Sequence, residues 1–135
     1  GLHRLGYGDR IKEIIPHSFC LPAVGQGALA IECCTANTEV RQMLDFLNDL
    51  PTKQATDAER SFLGLIEGGC QVPIGVHAVT AGSSITVEAI IASLDGSTVL
   101  RDTIQGEAAD AARLGQKLGN KMLDQGGRAI LAEIM

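Results

Sequence analysis

Apolar residues along this chain change their spacing several times, and each change marks an element. Leu5, Ile11, Ile14 and Ile15 fall on one face of a short helix around Gly8 to Ile15, which Pro16 ends. A loop from Pro16 to about Gly27 follows, and the apolar run Ala28 to Cys33 reads as a short strand. Asn37 or Thr38 is placed to cap a helix reaching about Leu50, with Val40, Leu44 and Leu47 on its buried face and Pro51 as its punctuation. A second helix is predicted from about Thr52 to Glu67. Thr56 and Glu59 have capping-box spacing near its start, and Ala55, Ala58, Phe62 and Ile66 fall on one stripe. Gly68 and Gly69 stop it by offering a left-handed cap.

The period then shortens to that of strands. Ile74 to Thr80, Ile85 to Leu94 and Thr98 to Gln105 are separated by the turn signals Gly82-Ser83 and Asp95-Gly96, which predicts an antiparallel meander. Helical spacing returns with Ala111, Leu114, Leu118 and Met122, breaks at Gly126-Gly127, and resumes in a short final helix carrying Ile130 and Ile134. The pattern implies an α+β fold, a three-stranded antiparallel sheet with helices packed on one face.

Composition narrows the choice of partner. With 45% of its 135 residues apolar, the chain can bury one substantial core but not two large ones. Sixteen acidic against eleven basic residues leave a net charge of −5 with no basic run, so no electrostatic footprint for nucleic acid is built. The apolar runs are far short of the ~20 residues that span a bilayer and no signal peptide opens the chain, so a cytoplasmic protein that binds no membrane is expected. Cys20, Cys33, Cys34 and Cys70 lack C-x-x-C spacing, and His3, His17 and His77 do not cluster with them, so neither a zinc site nor a disulfide framework is expected.

The most informative stretch is Leu65-Ile66-Glu67-Gly68-Gly69-Cys70-Gln71-Val72-Pro73-Ile74-Gly75, a single cysteine on a helix-to-strand loop behind paired glycines. The glycines let the backbone pass close to a bulky group and leave the thiol open, although the same spacing also suits a helix cap followed by a small buried cysteine. A helix C-terminus disfavours a thiolate, whereas cycling nucleophiles sit near helix N-termini or cations. Cys70 therefore suits a one-time attachment to an electrophile better than repeated turnover.

Leu65 to Gly75 resembles the cofactor-attachment motif of the hydroxymethylbilane synthase (porphobilinogen deaminase) family. Leu21-Pro22-Ala23-Val24-Gly25-Gln26-Gly27-Ala28-Leu29-Ala30-Ile31-Glu32-Cys33 is similar to a second signature of that family, and Gly1 to Gly6 to its Gly-Leu-x-Arg-Leu-Gly segment. The resemblance runs through the whole chain, including Ala58-Glu59-Arg60 and Asp95-Gly96-Ser97, but covers only the C-terminal part of the family's length. It implies a transferase that joins four porphobilinogen molecules head to tail, releases ammonia each time, and hydrolyses off the linear hydroxymethylbilane. It also implies a covalent dipyrromethane cofactor on Cys70 through a thioether, flanked by Gly68 and Gly69. Arg4 matches an arginine that binds pyrrole carboxylates, for which a bidentate guanidinium is suited. Gln26 and Gly27 match a loop beside the pyrrole site, where backbone N–H groups could meet carboxylates, although a plain interdomain turn has the same composition.

The resemblance further implies a monomeric three-domain parent enzyme. Residues 1–49 would be the C-terminal remnants of upstream α/β domains and a hinge, and residues 50–135 the cofactor-attachment domain. The family's essential aspartate and its array of arginines lie N-terminal to Gly1, so the isolated chain is expected to be catalytically silent, missing the N-terminal domains as its partners. Apolar surface at Ala28 to Ile31 would then be left open. A small-molecule-binding module and an ordinary thiol enzyme using Cys70 stand as alternatives. Other features take bland readings: Cys33-Cys34 as a packed thiol beside an exposed one, Asp45 and Asp49 as a solvated helical i, i+4 pair, and His77 as a surface or satisfied histidine.

Overall fold

A computed structural model describes residues 1–66 and 73–134. Its core lies between one sheet and two helices. β1 (Ile74–Ala81), β2 (Ser84–Ala92) and β3 (Val99–Glu107) form an antiparallel sheet in the order β1-β2-β3, as the period-2 pattern predicts. Val76 pairs with Ala89, Ala78 with Val87, and Val87 with Ile104, so these side chains share a face. On that face lie α2 (Leu50–Ile66), which buries Ala58, Phe62 and Ile66, and α3 (Ala111–Met122), which buries Leu114, Leu118 and Met122.

The two helices approach closely because α3 presents Gly115 and Gly119 to α2. A Cβ on Gly115 would collide with the Ala58 carbonyl, and one on Gly119 would sit 2.8 Å from Leu65 Cδ2. Past α3, Gly126 takes a φ of 121°, which breaks the helix where the glycine pair predicted a break. α4 (Arg128–Ala132) then buries Ile130 and Leu131, while Ile134 lies just beyond it and packs against the core.

The first third of the chain departs from the sequence pattern. Only Gly8–Arg10 forms a helical turn, of 3₁₀ type, where a helix to Ile15 was predicted. Residues 28–33 form no strand: no segment among the described residues pairs with them, and an isolated extended segment has no ladder to stabilise it. α1 (Thr38–Leu44) is capped by the Asn37 side chain, which accepts from the Val40 amide at 3.1 Å, but the helix buries nothing and gives way to a 3₁₀ turn over Asp45–Leu47. Leu29 is 93% exposed and Ile31 60%, so the apolar surface expected at Ala28 to Ile31 is open.

α2 begins earlier than the pattern suggested. Asp49 is its N-cap, accepting from the Thr52 amide at 3.0 Å, so Pro51 lies in the first turn, where a missing N–H costs nothing. Thr56 and Glu59 are therefore not a capping box: Thr56 Oγ1 donates back to the Thr52 and Lys53 carbonyls, and Glu59 turns elsewhere. Asp45 and Asp49 likewise do not share a helix face.

Candidate functional site

The turn that carries Gln26 is built from its glycines. Gln26 N donates to the Ala23 carbonyl at 3.1 Å and Ala28 N to that of Gly25 at 3.2 Å. Gly25 and Gly27 have φ of 69° and 89°, a region that side-chain-bearing residues avoid. Gln26 is left exposed between them.

This turn is fastened to the rest of the molecule by a carboxylate. Glu59 is 5% exposed, and its Oε2 accepts from the Gly25 amide at 2.7 Å while Oε1 accepts from the Ala78 amide of β1 at 2.9 Å. A buried carboxylate is tolerated only when its oxygens are satisfied, and here two backbone amides from separate parts of the chain do so. The second bond also occupies an N–H on the free edge of the sheet. Around the turn, a cleft of about 530 Å³ opens against α2, lined among others by Leu29, Asn48, Lys53 and Arg60.

Preceding the turn, residues 17–21 cross the sheet face opposite the helices as a strap. Leu21, buried in a stretch that is otherwise mostly exposed, lies against Gly75, where a Cβ would meet Leu21 Cβ at 2.9 Å and Ile90 Cγ2 at 3.0 Å. Arg101 of β3 donates to the carbonyls of Ser18 at 2.6 Å and His17 at 2.8 Å, and pairs with Glu88 at 2.7 Å. The His17 ring meets His77 edge-on with centroids 4.0 Å apart, and His77 Nδ1 lies 3.8 Å from Glu59 Oε1. Burial lowers the pKa of His77, the facing His17 lowers it further, and Glu59 and Glu88 offset part of the shift. His77 is thus partly buried and packed against a second imidazole.

Arg4 lies in a separate turn, closed by Leu5 N to Gly1 O at 3.2 Å and Tyr7 N to Leu2 O at 2.9 Å; its side chain is exposed and forms no ion pair among the described residues. Gly68, Gly69 and Cys70 lie outside the described residues. The elements on either side of them are both tied into the core, through Ile66 of α2, which is 3% exposed, and Val76 of β1, which is 0% exposed. The structure therefore joins the Gln26 turn, through Glu59, to the two elements that flank Cys70. Among the described residues, no hydrogen bond or ion pair joins Arg4 to either. Cys33 and Cys34 are both exposed, correcting the expectation of a packed thiol beside an exposed one, because the segment is not a strand with an inner face.

Sequence reasoning missed Glu59 and Arg101. Glu59 stands four residues after Ala55 and three before Phe62, at helical spacing with the apolar stripe. An acidic residue beside the buried stripe was the available signal, and its resemblance to a capping box hid it. Nothing local marks Arg101, whose partners lie 83 and 84 residues away.

Residues 53–124 match the family model described as the porphobilinogen deaminase C-terminal domain, and residues 1–42 match that described as the porphobilinogen deaminase dipyromethane cofactor binding domain. Curated relatives named porphobilinogen deaminase are similar along 134 residues. Those of Geotalea daltonii and a Synechococcus are each 48% identical, and that of Citrifermentans bemidjiense is 44% identical. In each case 99% of this chain is covered, and it spans 42% of the relative's length. Arg4, Gln26 and Gly27 fall within residues 1–42 and Cys70 within residues 53–124.

Proposed function

Because this chain belongs to the porphobilinogen deaminase family, we propose that it is the C-terminal part of a hydroxymethylbilane synthase, the enzyme that joins four porphobilinogen molecules into a linear tetrapyrrole. The observation that carries the reading is the continuous similarity, 44–48% identity over 99% of the chain, to relatives of that name. When bound, the dipyrromethane supplies the primer to which each porphobilinogen unit is added.

The residues of this chain divide the work of holding it. Cys70 anchors the primer through its Sγ, and the preceding Gly68 and Gly69 bring no side chains to compete with a bulky adduct. The position of the thiol after α2 supports a bond made once, since carbonyl dipoles at a helix C-terminus do not favour a persistent thiolate. Arg4 is exposed and free to pair with acetate or propionate groups on the pyrroles. Gln26 and Gly27, on a turn whose conformation is set by positive-φ glycines, present polar groups beside the chain.

Two further parts of the reading rest on charge and on burial. A site for a polycarboxylate should be basic and this chain carries −5, so the cations and the aspartate that complete catalysis come from the remaining length of the enzyme, and residues 1–135 alone are silent. Residues 1–49 bury little and belong with those upstream domains, whereas residues 50–135 form the cofactor-attachment domain. The parent enzyme is on this reading a cytoplasmic monomer that binds neither nucleic acid nor membrane. The acidic charge of residues 1–135 supports the absence of nucleic-acid binding by this part, and among its described residues no helix is long and apolar enough to cross a bilayer.

The deciding experiment is the mass of the Cys70 peptide from the full-length protein purified from its cells, with Cys70→Ala as control. An adduct of two deaminated porphobilinogen units, absent in the variant, is the expected result. An unmodified thiol in folded, active preparations would sink the primer assignment.

A further inference from the structure

We propose that Glu59 is a positioning residue, whose carboxylate sets the Gln26–Gly27 turn against the helix and strand that flank Cys70. The proposal rests on the reading of Cys70 and Gln26 given above and adds a residue to it.

Three observations lead there. Glu59 lies on the buried side of α2 and is 5% exposed, a position where an apolar side chain would serve packing at lower desolvation cost. A carboxylate there has to be accounted for by what it touches, and both of its hydrogen bonds go to main-chain amides, Gly25 at 2.7 Å and Ala78 at 2.9 Å. Main-chain partners mean that the contact fixes the path of the backbone rather than recognising a side chain.

The partners are also the relevant ones. From Glu59, α2 continues to Ile66 and leads directly into the segment with Cys70, and β1 takes up the chain from Ile74 to Ala81. Gly25 is adjacent to Gln26 and belongs to a turn whose other hydrogen bonds among the described residues are its own two, at 3.1 and 3.2 Å, while Val24 beside it packs against the core. The upstream strap is pinned independently, by Leu21 on Gly75 and by Arg101 on the His17 and Ser18 carbonyls. Glu59 is therefore the link that carries the register of the strap forward to Gln26. Removing it leaves the strap in place and the turn loose.

Glu59→Gln in the full-length enzyme tests this, because the amide keeps the shape but can offer an acceptor to only one of the two N–H groups. The readouts are backbone amide exchange by mass spectrometry, loading of Cys70, and steady-state kinetics with porphobilinogen. Exchange in peptides covering residues 22–28 should quicken about tenfold or more, as expected for loss of a hydrogen bond to a charged acceptor. Exchange in β2, β3 and α3 should stay as in the wild type. Loading of Cys70 should persist, with KM raised several-fold and kcat changed less. Unchanged exchange at residues 22–28, or quickened exchange there with unaltered kinetics, overturns the proposal. Loss of protection throughout the sheet and α3 also overturns it, since Glu59 would then only maintain the fold. If wild-type Cys70 carries no adduct, the functional reading fails separately, and the exchange comparison still decides whether Glu59 sets the turn.

Discussion

Three side chains on this domain owe their protonation behaviour to different neighbours. Asp95 sits in the β2–β3 turn, where its Oδ1 accepts from Ser93 Oγ at 2.6 Å, Ser97 N at 3.0 Å and Ser97 Oγ at 2.8 Å; these bonds hold its pKa down to about 2. Asp102 is held below the usual carboxylate range chiefly by Lys121 of α3, whose Nζ is 2.7 Å away, so the pair stitches β3 to the helix layer. The pKa of His77 is lowered too, chiefly by burial: with it below the ordinary 6.5, the unfolded chain takes up a proton on acidification before the folded one does. Stability should therefore fall as pH drops below about 6.5, through the window between the ordinary and the lowered value. Urea midpoints measured at pH 7.5 and 5.5 should show the loss, and His77→Gln should make the midpoint less dependent on pH over that range. A His77→Gln protein with an undiminished pH dependence would assign the effect to another group. At Gly115 two magnitudes compete. Alanine is favoured in a helix interior by about 1 kcal/mol, but its Cβ would collide with the Ala58 carbonyl, a backbone atom that cannot rotate away. Gly115→Ala should thus be a net loss of about 1–3 kcal/mol, as overpacking usually is, visible as a lower denaturation midpoint.

At the scale of elements, α2 shows how a start signal can be misplaced. Both Asp49 and Thr56 have the chemistry of a cap, and Glu59 completes the capping-box spacing only with Thr56. Asp49 wins because Pro51 is acceptable in a first turn, which adds Leu50 and Pro51 to the helix ahead of Thr52. Asp49→Ala should lower the melting temperature measurably, whereas Thr56→Ala, which removes only a back-bonded hydroxyl, should leave it nearly unchanged. The reverse order would restore the later start. The loss of Asp49's ionised form also has a direction: its pKa is lowered, first by the Thr52 side chain and then by the Thr52 amide, so the cap weakens as acid protonates it. The segment 28–33 teaches the complementary lesson. Its apolar run has the composition of a buried strand, but strand pairing is a property of two segments, and no second one is available among the described residues.

For the molecule as a whole, burial divides unevenly along the chain. Residues 1–49 contribute Leu21 to the buried hydrophobic set, while the rest of that set lies within residues 58–131. The exposed Leu29, Phe46 and Leu47 make the first part of the isolated chain a poor candidate for protection. Limited trypsinolysis of residues 1–135 should cut after Arg41 well before Arg101 or Arg113, because Arg41 lies on a helix with no buried residue. In a longer chain carrying the rest of the relatives' length, the same bond should be markedly slower to cut if the added residues cover this surface. Equal rates in the two would count against such cover.

What the sequence by itself determined is what local periodicity and turn chemistry control. The meander with its Gly82-Ser83 and Asp95-Gly96 turns, the stripe Ala58, Phe62 and Ile66, the stripe Leu114, Leu118 and Met122, and the Gly126 break are all found where the pattern puts them. The family resemblance was equally legible, being carried by contiguous residues. Tertiary structure alone decided the rest. Glu59 reaches an amide 34 residues away, Arg101 reaches carbonyls 83 and 84 residues away, and Leu21 packs on Gly75 because the strap crosses that face. The physical reason is common to these cases: a hydrogen bond or a close approach between segments leaves its mark on each only as a single polar or small residue. Such a residue has no period, and its partner is fixed only when the chain has folded.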